Sequence, residues 1–164
     1  TMIVKDSMVL IHLAKITLLE KSCDYFKDVI IPEMVYNETV AMEEKHEESV
    51  LIKELCGKGK IKVKKIKDTI LLNKANQYNI QRGEAEAVAL YWQEKADFIA
   101  TDDDNVRKKS VLLNLNLIGT PAIIFGMFKK KMIDKKKFVD SFSELKKIGW
   151  FSNAIIDRLL LEVK

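Results

Sequence analysis

The sequence predicts an α/β protein, with a mostly parallel central sheet and helices on both of its faces. Three observations predict it. Short apolar stretches of strand character alternate along the chain with longer stretches of helical apolar spacing, the pattern of successive βαβ units. Apolar residues make up 48% of 164 residues, enough for one domain with a buried core and no need of disulfide staples. Two of the strand stretches end in aspartates, and in an open parallel sheet the functional crevice lies beyond the carboxyl ends of the strands.

The elements follow in order. Met2–Lys5 (MIVK) is a strand candidate that ends at Asp6 and Ser7. Met8–Ala14 and Ile16–Phe26 carry helical spacing, with Leu10, Leu13, Leu18 and Leu19 supplying most of the apolar face. Val29–Ile31 is the second strand, and Pro32, suited to a helix's first position, opens a helix over Glu33–Met42. Glu43–Leu55 predicts a charged helix with a stripe at Val50, Leu51 and Leu55, closed by Gly57 and Gly59. In Lys60–Lys67, Ile61 and Val63 alternate with Lys60, Lys62 and Lys64, as in an edge strand guarded by lysines. Asp68–Tyr78 and the alanine-rich Gly83–Lys95 are helical, and the second leads into a strand at Phe98–Ala100. Val106–Leu113 is helical and Leu115–Ile118 a further strand; Thr120–Lys131, Lys135–Ile148 and Ser152–Val163 are closing helices.

Composition narrows the chemistry. The longest apolar run, Ala122–Phe128, is far too short to span a membrane. No basic-then-apolar leader opens the chain, so a cytoplasmic protein is the expectation. Cys23 and Cys56 are the only cysteines and His12 and His46 the only histidines, which argues against a disulfide framework or a zinc site. Any metal would be held by carboxylates, and oxygen donors select Mg²⁺ or Mn²⁺. No glycine-rich phosphate loop is present, and two scattered histidines make a Ser-His-Asp site a poor fit. Net charge is +4, with lysines gathered in Lys58–Lys67 and Lys129–Lys137; taken singly, each run reads as solvated surface.

The acids carry the strongest signal. Asp102, Asp103 and Asp104 follow Thr101 at the end of the Phe98–Ala100 strand, more carboxylates than one helix cap requires. Asp6 ends the first strand, where a helix cap and a ligand are evenly matched readings. Glu38 shares the apolar stripe of Met34 and Val35, a costly place for a carboxylate unless a cation or hydrogen bonds meet it; the bland alternative is the edge of the stripe. Glu84 and Glu86 lie on different faces of their helix, so one of them at most joins a given cluster. Glu84 taken alone reads as an acid favoured by the helix dipole. Together these positions could converge on a divalent ion, a cage suited to the attack of water on a phosphodiester.

The order of IVKDSMVLIHLAK, PEMVYNETV, GEAEAVALYWQEKADFIATDDDNVR and LIGTPAIIFGMFKKKMID resembles the PIN-domain family over nearly the whole chain. It is most similar to the prokaryotic branch of nucleic-acid-binding proteins akin to VapC toxins. The resemblance implies a three-layer α/β/α sandwich over residues 1–131, with a helical extension over 132–164 packed on the same domain. It further implies a Mg²⁺- or Mn²⁺-dependent ribonuclease. The family's acids fall on Asp6, Glu38 and Glu84, and the fourth on Asp102 or Asp103, because family members differ in which of the two is used. Thr101 and Ser7 match positions where a hydroxyl supports the site. Lys5 departs from the branch, which has a small or apolar residue there.

The leading expectation is therefore an endoribonuclease cutting single-stranded RNA, with Lys108, Lys109 and parts of the lysine runs screening the RNA backbone. The alternative is a non-catalytic PIN scaffold that binds RNA or a protein. Homodimers are frequent in the family, and an antitoxin-like protein partner is expected where a member acts as a toxin.

Overall fold

The computed structural model describes residues 1–41, 46–148, 151 and 153–161. Five strands, β1 (Met2–Lys5), β2 (Asp28–Pro32), β3 (Ile61–Lys64), β4 (Phe98–Ala100) and β5 (Leu117–Ile118), form one parallel sheet in the order β3-β2-β1-β4-β5. The chain winds outward from β1 to β3, then crosses to the other side of β1 for β4 and β5. The strand order therefore reverses between β1 and β4, the switch point at which open α/β sheets place their crevice.

Successive strand residues point to opposite faces, and the two cores follow that alternation. Ile3, Val29, Ile31 and Ala100 join one cluster with α1 (Ser7–Lys15), α2 (Leu19–Phe26), α4 (Glu47–Gly57), α8 (Thr120–Lys129) and α9 (Lys135–Ile148). Val4, Ile30 and Ile99 join the other with α5 (Thr69–Gln77), α6 (Arg82–Glu94) and Val106 of α7 (Asp104–Lys109). The sheet is thus covered on both faces, giving three layers. On the first face Phe138 and Phe142 of α9 are wholly buried, with the Phe138 ring 4.8 Å from Phe128 and 4.6 Å from Phe142. Ile156 of α10 (Asn153–Leu161) enters the same cluster.

Several predicted elements change in detail. The helix expected over Glu33–Met42 is α-helical only in α3 (Glu33–Tyr36), then widens to a π-helical turn at Asn37–Ala41. Met42, the predicted helix start at Glu43, and the predicted ends at Ser152 and Val163 lie outside the described residues. The lysine-guarded strand is an edge strand as expected, but it is short, and Val63 is 40% exposed.

Lys5 is the least expected core residue. Its side chain is fully buried and donates to Ser22 Oγ at 2.6 Å, with Nζ 5.5 Å from the Phe26 ring centroid. Burial lowers its ammonium to about 8, because the charged form is disfavoured away from water. That hydrogen bond ties the end of β1 to α2, immediately before Asp6.

Candidate active site

Strand register builds the site. Lys5 of β1 pairs with Ala100 of β4, so the residues that follow, Asp6 and Thr101, leave the sheet side by side. Asp6 N donates to Ala100 O at 3.0 Å, and Thr101 N donates to Ile118 O at 3.1 Å. The strand-end acids are thereby placed at the reversal of strand order.

Asp6 is both a cap and something more. Its Oδ1 accepts from Val9 N at 2.9 Å, closing the start of α1, which is the cap reading of the sequence. Its Oδ2 is, among the described residues, the only buried side-chain oxygen or nitrogen with no hydrogen-bond partner. Burial pushes the carboxyl up to about 8; the Thr101 hydroxyl and the Val9 amide oppose the rise, and the Asp102 and Glu84 charges add to it. A buried polar atom left unpaired is costly, so this oxygen needs an explanation that the fold alone does not supply.

Asp102 is the opposite case. Its Oδ2 faces His12 Nδ1 at 2.8 Å and accepts from the Thr120 hydroxyl at 2.5 Å, while Oδ1 accepts from Thr120 N at 2.7 Å. Its side chain is 3% exposed. Asp103 accepts from Val106 N at 2.9 Å as the cap of α7, and its own amide donates to Thr101 Oγ1 at 3.0 Å. Thr101 thus sets the turn that carries both acids. Asp104, the third acid of the run, is paired with Arg107.

Glu38 reaches the site from the π-helical turn. The Ser7 hydroxyl donates to its Oε2 at 2.7 Å and Gly83 N donates to its Oε1 at 3.2 Å. These two bonds meet the requirement that a carboxylate on a buried stripe be satisfied. They also explain Gly83, since a Cβ there would sit 2.6 Å from Glu38 Oε2. Glu84 is half-buried next to it, and burial, with the Asp103 and Glu38 charges adding, raises its carboxyl above the ordinary value. Glu86 turns the other way, accepting from Met34 N at 3.3 Å, as the helix-face argument requires.

The five expected acids are linked through neighbouring charges: Asp6 feels Asp102 and Glu84, and Glu84 feels Asp103 and Glu38. Ser7 and Thr101 support them as hydrogen-bond partners. Among the described residues, no group of three His, Cys, Asp or Glu side chains is arranged to hold a metal ion as it stands. The expected cations divide: Lys108 is exposed, whereas Lys109 donates its ammonium to the Tyr78 carbonyl. Four of the six lysines of the first run meet carboxylates elsewhere, Lys58 on Glu54, Lys60 near Asp24, Lys62 near Asp28 and Lys64 on Glu94.

His12 and Thr120 were not assigned from the sequence. His12 lies far from Asp102 along the chain and reads as an ordinary residue of an apolar helix. Thr120 follows β5 and opens α8 beside Pro121; its place after a strand adjacent to β4 was the signal available.

The acids thus line the switch point of a parallel sheet in three layers, where open α/β folds place their functional crevice. The chain belongs to the PIN-domain family, whose model matches residues 2–164. The family acts on nucleic acids as nucleases. No curated protein and no solved structure matches the chain.

Proposed function

We propose that this protein is a divalent-metal-dependent endoribonuclease that cleaves single-stranded RNA. The observation that carries the reading is the unpaired Oδ2 of Asp6, buried at the switch point among four further carboxylates. The donor set fits a hard cation: it consists of carboxylate oxygens, it lacks a free oxygen-pairing donor at Asp6, and its members repel one another. Asp6, Glu38, Glu84 and Asp103 would hold Mg²⁺ or Mn²⁺, with Asp102 at the same locus. When bound, the ion supplies a nucleophilic water at neutral pH and positive charge beside the scissile phosphate.

The protein's own groups prepare that locus. His12 and Thr120 pin Asp102 through three hydrogen bonds. The Ser7 hydroxyl and Gly83 amide aim Glu38, and Thr101 fixes the turn into Asp103. Asp6 keeps one oxygen in reserve.

The test pairs cleavage with binding. A single-stranded RNA should be cut in millimolar Mn²⁺ and protected by EDTA, and Asp6→Asn should lower cleavage by about a hundredfold or more, the scale of losing one electrostatic anchor of a transition state. Thermal melts give the second readout: Mn²⁺ should raise the melting temperature of the parent, since a ligand at a hundred times Kd adds about 2.7 kcal/mol, and Asp6→Asn should lose most of that rise. Cleavage that survives both chelation and Asp6→Asn would overturn the mechanism. Binding of RNA without cleavage would favour a non-catalytic scaffold.

A further inference from the structure

Beside the acids lies an open cleft of about 300 Å³. Glu84 and Asp103 form part of its wall, and Asn79, Gln81, Arg82 and Asn105, with the buried Ile80, form the rest. The acids belong to the site described above; the other four side chains have no part in it. All four are exposed, and what they offer is a row of amides and one guanidinium.

Arg82 is the informative member. It stands two residues from Glu84 and shares the cleft with Asp103, yet among the described residues it makes no ion pair and no hydrogen bond. Two basic side chains near this edge are engaged, Arg107 with Asp104 and Lys109 with the Tyr78 carbonyl, and Lys108 is exposed. Its backbone has φ of 52°, the left-handed region that non-glycine residues enter at some cost, in the step just before Gly83 donates to Glu38. The conformation that delivers the Gly83 amide to the acid site therefore also sets the guanidinium at the cleft. A planar guanidinium with no carboxylate partner is suited to bidentate contact with a phosphate.

The amides complete the match. Asn105 Nδ2 donates to the Asn79 carbonyl at 3.0 Å, which fixes the Asn105 amide plane and leaves its carbonyl oxygen available. Asn79 and Gln81 offer both donors and acceptors. Amides that present both functions can meet the polar edge of an unstacked base, which is how single-stranded RNA is read.

We propose that this cleft is a nucleotide subsite for the RNA strand, with Arg82 on a backbone phosphate and the amides of Asn79, Gln81 and Asn105 on a base edge. The proposal rests on the nuclease reading for its choice of ligand, but it concerns binding and can fail or stand separately. It also adds Arg82 to the expected phosphate contacts Lys108 and Lys109, of which Lys109 has its ammonium on the Tyr78 carbonyl.

The experiment uses the full chain and a single-stranded RNA hexamer in EDTA, followed by the side-chain amide resonances of the protein. The hexamer should shift the amides of Asn79, Gln81 and Asn105. Arg82→Gln should raise its Kd about tenfold, the effect of losing one charge-assisted contact, and reduce the salt slope by roughly 0.7. Arg82→Lys should recover only part of the affinity, because the fork is lost. Lys146→Gln, which alters a cation paired with Asp157 on the C-terminal helices, should change neither quantity. In Mn²⁺, Arg82→Gln should raise KM with kcat nearly unchanged. RNA cleavage with no amide shift and an unaltered Kd in Arg82→Gln would overturn the subsite while leaving the nuclease intact. Hexamer binding that depends on Arg82, without any cleavage, would support the subsite and sink the nuclease reading.

Discussion

The neighbouring ends of β1 and β4 each present a buried aspartate, and the two are treated in opposite ways. Asp102 is held by His12 and by two groups of Thr120, so its charge is compensated within the fold. Asp6 has one oxygen on a helix amide, while the other, near the Thr101 hydroxyl, completes no hydrogen bond. Similar chemistry and burial thus give one anchored carboxylate and one left poised. The difference is one of completion: a carboxylate whose bonds are complete serves the architecture, while one whose bonds are incomplete is a cost to the folded protein.

The largest expected effect breaks the anchored side. His12→Leu leaves Asp102 short of a partner in a buried setting and should cost about 2 kcal/mol of stability, the scale of removing one hydrogen-bond partner of a buried group, read from the urea midpoint. Above about pH 8, where the Asp6 carboxyl is ionised, Asp6→Asn in EDTA should be neutral or stabilising, because its amide oxygen can still accept from Val9 while the repulsion by Asp102 and Glu84 disappears. Equal losses for the two variants would erase the contrast.

A smaller effect follows from protonation. The Asp6 carboxyl is raised by burial from 3.8 to about 8, so between these values the folded chain holds a proton that the unfolded chain has released. That contribution is complete below about pH 4 and is lost as pH rises through about 8, with a slope of at most about 1.4 kcal/mol per pH unit. In EDTA, urea midpoints of the parent should therefore fall across this window relative to those of Asp6→Asn. Parallel pH curves for the two proteins would remove Asp6 as the titrating group.

The smallest stability effect sharpens the contrast at Glu38. In Gly83→Ala the new methyl displaces the Glu38 carboxylate, which would otherwise lie 2.6 Å away, while alanine gains up to about 1 kcal/mol in helix preference over glycine. Net stability should change by less than about 1 kcal/mol, measured by thermal melting, yet RNA cleavage in Mn²⁺ should fall about tenfold. A variant with full activity would show that the position of Glu38 is unimportant.

The fold was legible because burial alternates locally. The β1 to β5 stretches and most helices could be read from apolar spacing, and the lysines of Lys60–Lys64 marked an edge strand. The five acids were also visible, since a carboxylate at a strand end or on a helix stripe departs from what packing asks of that position. Glu38 was read on a regular helix, whereas it sits in a π-helical turn, because one extra residue per turn leaves little trace in a short apolar pattern.

What the sequence by itself determined is therefore the layer pattern and the candidate ligands, because hydrophobic periodicity and unusual charge are properties of neighbouring residues. Only the tertiary structure decided which residues meet. The pairing of Lys5 with Ala100 puts Asp6 beside Thr101, and packing carries His12 and Thr120 onto Asp102 from distant parts of the chain. Whether a side chain is spent or spare depends on the same assembly: Lys109 is committed to a carbonyl, Arg82 is not, and Asp6 keeps one bare oxygen. Hydrogen-bond completion depends on distances between atoms far apart in sequence, and those distances exist only once the sheet has closed.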